Sequence, residues 1–595
     1  MTPTTYSMTW NLDEFFPGGS SSKEFLAHLE KVKVEIQSFE KSIKAWDAAS
    51  NKDTDLVHIL EKFQKADLGL EQAESFVSCL QAQNMDDVKA NELRGIMTSL
   101  ASNFDTALTH LDKAFVQIEE SNWQKLIELE PLQELQFVLN ERRRLAAEKL
   151  SKEEETLIND LAVDGYHGWE EMYDAIVSQL SIPFKEDGKE VQLSVGQAQN
   201  KFSSHDREVR KNIFTEWEKA WGEQSELLST TLNHLSGFRL AVYKKRGWND
   251  VLQEALEYNR MSKETLDIMW KVISDNKKPF VEFLERKARL LGMEKLNWYD
   301  LDAPITDSAK TYSYQEGAAF IINHFREFGS ELSHFAEKAF EDNWIEAEDR
   351  PGKRPGGFCT SFPLSNQSRI FMTYSDTYEN VSTLAHELGH AFHTYAMKDV
   401  HPLNCHYAMN VAETASTFAE TIVADAALKL AKNDGEKLAL LESKIQSSIA
   451  LLMNIHARFL FETRFYEERK KGMVSTAKLN EMMEDAQKEA YGDSLGQYHP
   501  HFWGSKLHFY ITDVPFYNFP YTFGYLFSLG IYAHAKKDGK DYEQKYISLL
   551  KDTGKMTVEE LAKKHLGVDL TKAEFWQAGV DLCIKDVEEF LSMTK

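Results

Sequence analysis

Residues 378–397 read YENVSTLAHELGHAFHTYAM. Val381, Leu384, Leu388, Phe392 and Tyr395 recur at steps of three and four, so they fall on one stripe of an α-helix, and Asp376 or Thr377 just upstream is available as its N-cap. The stripe seats the helix in a core. On an adjoining face His386 and His390 stand one turn and about 40° of azimuth apart, so both imidazoles reach one ion. Glu387 projects to the same side. H-E-x-x-H on a helix is the pattern in which two histidines bind zinc and the glutamate acts on a water held there.

A catalytic zinc site needs a third protein ligand, and two candidates follow the motif. His393 shares nearly the azimuth of His386 but lies about 10 Å farther along an unbroken helix, and the apolar stripe runs on through Phe392 and Tyr395 without a break. Glu413 lies in NVAETASTFAETIVADAALKL, residues 410–430, where Val411, Ala415, Phe418, Ile422 and Ala426 mark a second buried stripe and Asn410 is placed to cap it. The small residues Ala412, Ala415, Ser416 and Ala419 let this helix lie close against the first. Glu413 is therefore the expected third ligand, with His393 a packed or supporting histidine. Glu420, two turns along nearly the same face, is placed to accept the outer N–H of a ligand histidine.

Upstream the pattern changes. PGKRPGGF, residues 351–358, concentrates Pro and Gly, and GFCTSF (357–362) and SRIFMTY (368–374) read as two short strands of a small sheet leading into the motif helix. Gly356 and Gly357 would let a peptide backbone approach and pair with the edge of the first strand. Farther toward the N-terminus, Phe25, Leu29, Val32, Ile36, Phe39, Ile43 and Trp46 alternate in steps of four and three. That seam spans about three heptads and is followed by more amphipathic helix, so an internal hairpin is preferred to a coiled-coil dimer. Helical patterns fill 53–120, 151–180 and 204–245, Gly247-Trp248-Asn249 signals a turn, and helices resume after the motif. There is no fixed-period repeat or low-complexity tract.

The whole chain bounds the partners. It has 595 residues, 42% of them hydrophobic, enough for at least one large core, and its 68 Lys and Arg against 94 Asp and Glu give a net charge of −26. That balance argues against nucleic acid or an anionic membrane as the principal partner. Cys79, Cys359, Cys405 and Cys583 are widely separated and form no C-x-x-C pair. Reduced thiols, with no basic leader or long apolar stretch in MTPTTYSMTWNLDEFFPGGS, make a cytoplasmic protein the expectation. Val514–Ile531 is apolar, but Pro515, Asn518, Pro520 and its tyrosines favour a buried aromatic segment over a membrane span.

TLAHELGHAFH, NVAETASTFAE, GKRPGGFCTSF and HFYITDVPFYNFPYTFGY together resemble the M3 metallopeptidases, and within them the oligoendopeptidase F branch; RGWND near residue 246 is similar to a family segment too. In the thimet branch the ligand glutamate is followed by a small residue and Pro-Ser, whereas Thr414-Ala415-Ser416 follows Glu413 here. The resemblance implies a mainly α, clam-like molecule with a small β element beside the zinc helix and a deep channel that admits short peptides. It implies an N-terminal helical bundle over 1–200 forming part of the channel wall and a zinc peptidase domain over 201–595. The implied activity is endopeptidase cleavage of oligopeptides with one Zn²⁺ per chain, held by His386, His390 and Glu413, and Glu387 as base. H-E-x-x-H alone leaves an exopeptidase open, and a non-catalytic helical peptide binder is the reading from another class. No pattern assigns an oligomeric state.

The late segment LHFYITDVPFYNFPYTFGYLFS holds His508, Tyr510, Tyr517, Tyr521 and Tyr525, a high density of polar-tipped aromatics. If Pro520 opens a helix, Tyr521 and Tyr525 share a face, with Tyr517 on the entering turn. In the family a histidine and tyrosines of the corresponding segment face the zinc and contact the substrate carbonyl, which by resemblance nominates His508 and Tyr521 first, then Tyr517 and Tyr525.

Overall fold

In the computed structural model, which describes residues 5–46, 53–186, 188–306, 311–539 and 542–595, the seam read near the N-terminus becomes the buried face of helix Lys23–Ala45. Ser22 caps that helix by accepting the Phe25 N–H at 3.2 Å, and Phe25, Leu29, Val32, Ile36, Phe39 and Ile43 all lie buried. Helices Asp53–Gln83 and Val88–Gln117 cover the stripe, with Phe39 packed between Phe63 and Phe104 at ring separations of 5.9 and 5.8 Å. Each such side chain contributes about 1.5–3 kcal/mol of burial. The seam is thus an internal helix-packing surface, as its shortness suggests.

The described chain groups into two compact units, each assembled from three separate stretches: residues 1–149, 310–426 and 534–568 in one, and 150–309, 427–533 and 569–595 in the other. Both are mainly helical. Five strands are present among the described residues. In the second unit β1 (Ile182–Glu186) and β2 (Lys189–Leu193) form an antiparallel hairpin, Ile182 opposite Leu193. In the first unit β3 (Ile345–Glu346), β4 (Phe358–Phe362) and β5 (Gln367–Phe371) form a sheet in the order β3-β5-β4. β4 runs antiparallel to β5, Phe358 opposite Phe371, and β3 runs parallel to it.

The two strands read from GFCTSF and SRIFMTY are β4 and β5. The two-residue β3 lies below the length at which alternation is readable. It takes the far edge of β5, and Met372 N–H continues that pairing by donating to Glu346 O at 2.9 Å. Phe358, Phe362 and Phe371 point into the core of the N-terminal helices, and the motif helix packs against β4 and β5.

In the second unit the 40-residue helix Arg207–Arg246 starts at Asp206, whose carboxylate accepts the Glu208 N–H, and ends at Gly247. Gly247 takes φ 76°, so its own N–H and that of Trp248 close the last carbonyls, the stop signalled by Gly247-Trp248-Asn249. Within Val514–Ile531 a helix begins at Phe519 with Pro520 in its first turn. No helix of the described residues is long and apolar enough to cross a membrane.

Candidate active site

The motif helix spans Tyr378–Ala396, and of the two caps proposed Thr377 serves, its hydroxyl accepting the Asn380 N–H at 3.2 Å. Val381, Leu384, Leu388 and Phe392 are buried, which fixes the rotation of the helix and so the direction of the neighbouring face. The second helix, Met409–Leu430, begins one residue before the cap expected at Asn410, and its stripe Val411, Ala415, Phe418, Ile422 and Ala426 is buried. Gly389 sets how closely the helices meet. A Cβ built there would lie 2.5 Å from Ala415 O and 2.6 Å from Ser416 Cα, so only a residue without a side chain lets the backbones come this near.

That approach carries Glu413 to the histidines. His386 Nε2 and His390 Nε2 are 3.1 Å apart, and Glu413 Oε2 is 3.4 Å from the first and 3.5 Å from the second. Tetrahedral zinc with bonds of about 2.0–2.1 Å spaces its ligand atoms about 3.3 Å apart, so this near-equilateral triangle of two imidazoles and a carboxylate fits one such ion. It is the one group of three or more possible ligands that converges in this way among the described residues.

The surroundings favour positive charge. Burial works against a charged His386, but the Glu420 hydrogen bond and the charges of Glu420, Glu413 and Glu387 push its imidazole up to about 9. A field that stabilises a proton there stabilises a cation held there by the same Coulomb term. Burial would likewise raise Glu413, yet His390, His386 and the Ser416 hydroxyl, which donates to Oε2 at 2.7 Å, hold it at about 2. Glu420 Oε1 takes the outer nitrogen of His386, Nδ1, fixing the ring with Nε2 toward the triangle.

Glu387 is 6% exposed. Burial raises its carboxyl, opposed by His386 and His390. A Cβ on Gly357 would sit 3.4 Å from Glu387 Oε1, so the Gly-rich turn runs directly beside this carboxylate, with Gly356 at φ 93°. A residue that sequence reasoning passed over pins the turn. Lys353 is buried, and its Nζ donates to Glu348 O and Met372 O, each at 2.7 Å, and lies 3.5 Å from Glu346. The signal was present as the basic pair inside PGKRPGG, but a buried lysine looks in sequence like an exposed one.

His393 is fully buried, stacked on Tyr407 at 4.2 Å, with Nε2 2.9 Å from Thr553 Oγ1. Burial, then the charge of His390, depresses its imidazole to about 3, so it is a neutral core residue. Helix Tyr542–Asp552 packs on the motif helix beside it.

His508, Tyr517, Tyr521 and Tyr525 belong to the second unit. There His508 lies 5.4 Å from Tyr517 and 6.1 Å from Tyr521, and the two tyrosine rings are 5.7 Å apart, so these three form one cluster. Burial, reinforced by Arg458 and Lys506, lowers His508 to about 4. Tyr525 stands apart, its hydroxyl 2.9 Å from Ser448 Oγ and 3.5 Å from Cys583 Sγ.

Known proteins resemble the chain over most of its length. The family model described as Peptidase family M3 matches residues 202–582, and one described as Oligopeptidase F matches residues 115–181. An oligoendopeptidase F homolog of Lactococcus lactis is 24% identical over 97% of this chain and 96% of its own length. Two solved structures share the fold: a candidate peptidase from Chlamydophila abortus, with a TM-score of 0.83 at 20% identity over 98% of both chains, and the oligoendopeptidase-F of Enterococcus faecium, with a TM-score of 0.69 at 18% identity over 96% of this chain and 99% of that one.

Proposed function

The chain belongs to peptidase family M3, and from that membership we infer that it is a metallopeptidase hydrolysing internal bonds of oligopeptides, with one zinc ion per chain held by His386, His390 and Glu413. The observation that carries the ligand assignment is the 3.1, 3.4 and 3.5 Å triangle of donor atoms with a buried carboxylate, Glu387, on the same helix. We assign the chemistry to residues 201–595, which hold every one of these side chains.

When bound, the ion supplies a Lewis acid that acidifies a water and polarises the scissile carbonyl. Glu387 takes the proton of the attacking water and then delivers it to the departing amine, so the peptide bond breaks with no covalent acyl-enzyme. Glu420 holds His386 in the tautomer that aims Nε2 at the site. Gly356 and Gly357 leave room beside Glu387 for a peptide backbone to pair along the edge of β4. His508 and Tyr521, then Tyr517 and Tyr525, are proposed as N–H and O–H donors to the carbonyl oxygen as negative charge develops on it, an assignment that rests on the family resemblance of their segment. Engagement of the Tyr525 hydroxyl with Ser448 and Cys583 places it last.

An internally quenched peptide blocked at both ends tests the reading. An endopeptidase cuts it, whereas an exopeptidase or a peptide-binding protein leaves it whole. Metal analysis of the purified chain should return one zinc per chain, and a metal-free chain that still cleaves the blocked peptide would refute the assignment.

A further inference from the structure

Two cations of the second unit pair with no carboxylate. Arg458, on helix Ile455–Arg469, donates Nε to Asn454 Oδ1 at 2.9 Å and Nη1 to Asn518 Oδ1 at 3.1 Å. Lys506, at the start of the short turn Leu507–Phe509, accepts the Phe509 N–H on its carbonyl, but its ammonium makes no hydrogen bond or ion pair among the described residues. Both lie over one ring, the Arg458 guanidinium carbon 5.2 Å and Lys506 Nζ 5.1 Å from the Phe502 centroid. They line the same cavity of about 270 Å³, whose wall includes Trp298, Tyr491 and the π-helical turn Ala450–Asn454. π turns of this kind occur frequently at functional sites.

The charges in this cavity do not balance. Asp302 is the single acid among the lining residues and forms an ion pair with neither cation, leaving two positive groups against one negative in a chain whose net charge is −26. Secluded charges are normally paired, and two like charges on one ring raise each other's energy unless an anion joins them. Burial, then Arg458, lowers the Lys506 amine to about 8 against the opposing charge of Asp302, which leaves it mostly protonated at neutral pH. The cavity therefore presents a vacant ammonium and a guanidinium fixed by two asparagines. Asn518, which anchors Arg458, directly follows Tyr517, and Lys506 lies two residues before His508, so the cavity adjoins the cluster proposed above to meet substrate. The volume suits one carboxylate-bearing residue of a peptide.

We propose that Lys506 and Arg458 form an anion subsite that takes a carboxylate of the bound peptide, either its C-terminal group or an Asp or Glu side chain. The inference rests on the peptidase reading. A charge-assisted contact of this kind, lost on amidation, corresponds to about a tenfold or greater weakening of binding.

The test uses the zinc-loaded Glu387→Gln chain, which holds peptide without consuming it, and calorimetry with three probes: one oligopeptide with a free C-terminus and no acidic side chain, its C-terminal amide, and that amide carrying one internal Glu. The free acid should bind about tenfold or more tighter than the plain amide if the C-terminus is the ligand, and the Glu-bearing amide should do so if a side chain is. Adding Lys506→Met should abolish whichever difference appears, while Lys506→Arg should keep it, which separates loss of charge from loss of fold. Equal affinity for all three probes, or a difference that survives Lys506→Met, overturns the anion subsite. Failure of the Glu387→Gln chain to bind any of the three would overturn the peptidase reading and this inference with it.

Discussion

Replacing Gly389 by Ala should empty the metal site while barely disturbing the helix that carries it. The added methyl would lie 2.5 Å from Ala415 O and 2.6 Å from Ser416 Cα, both backbone atoms of the facing helix. Carbon atoms rest at about 3.5–4.0 Å, so that helix must retreat by about 1 Å. Glu413 sits two residues from the point of contact and moves with it. Metal ligands tolerate departures of about 0.2 Å, so a carboxylate displaced by several times that amount leaves two histidines holding the ion alone. Two effects on stability oppose each other: Ala over Gly in a helix interior gains about 0.8–1 kcal/mol, and the overpacking costs about 1–3 kcal/mol. The net change in the metal-free chain should thus be small, about 0–2 kcal/mol of loss, whereas zinc affinity should fall by two orders of magnitude or more. Competition for zinc against a chelator of known affinity measures the second quantity, and thermal melting of both chains in excess chelator the first. A Gly389→Ala chain that keeps its full zinc affinity would refute the claim that this contact positions Glu413.

Other substitutions separate the remaining roles. Glu413→Ala should strip the metal, while His393→Ala should retain it and lower the melting temperature, since it removes a buried stacked ring; metal content and melting read both, and the reverse pattern would exchange their roles. Glu387→Gln should stay zinc-loaded and turn over several orders of magnitude more slowly, as kcat on the quenched peptide reports. Glu420→Gln should weaken zinc by about 10–100-fold through loss of the group that orients His386, measured by the same chelator competition. Among His508→Ala and Tyr→Phe at 517, 521 and 525, at least one should lower kcat about a hundredfold with metal content unchanged; four variants at full kcat would make that segment structural.

What could be read from the sequence was whatever local periodicity encodes. The Phe25–Ile43 seam, the stop at Gly247, the stripe that orients the motif helix and the second stripe that delivers Glu413 each repeat within a few turns and need no distant partner to be seen. The small residues Ala415 and Ser416 even signalled a close helix crossing, though not that Gly389 would meet them. What escaped was non-local or too short. β3 is two residues long, Lys353 differs from a surface lysine only in what lies 19 residues away at Met372, and Tyr525 follows Tyr521 at helical spacing yet spends its hydroxyl on Ser448 and Cys583. The cover over His393 comes from residue 553, and no periodicity in either segment announces the other.

That last contact bears on how the protein is made. Residues 534–568 close the unit that holds the motif helix: Tyr546 stacks on Phe418 at 4.4 Å, Thr553 meets His393, and Gly554 lies so near Asn404 O that a Cβ would fall 1.9 Å from it. At about 5–20 residues per second, the ribosome delivers this cover about 8–30 seconds after the motif itself, and the 427–533 stretch of the second unit emerges between the two. During that interval Phe392 and Phe418 lack their contacts with Tyr546 and His393 lacks Thr553, so the nascent chain carries a partly uncovered face on the helix that holds His386 and His390. Completion of the site therefore waits on the late segment, and a chain interrupted before it would be a substrate for chaperones rather than an enzyme.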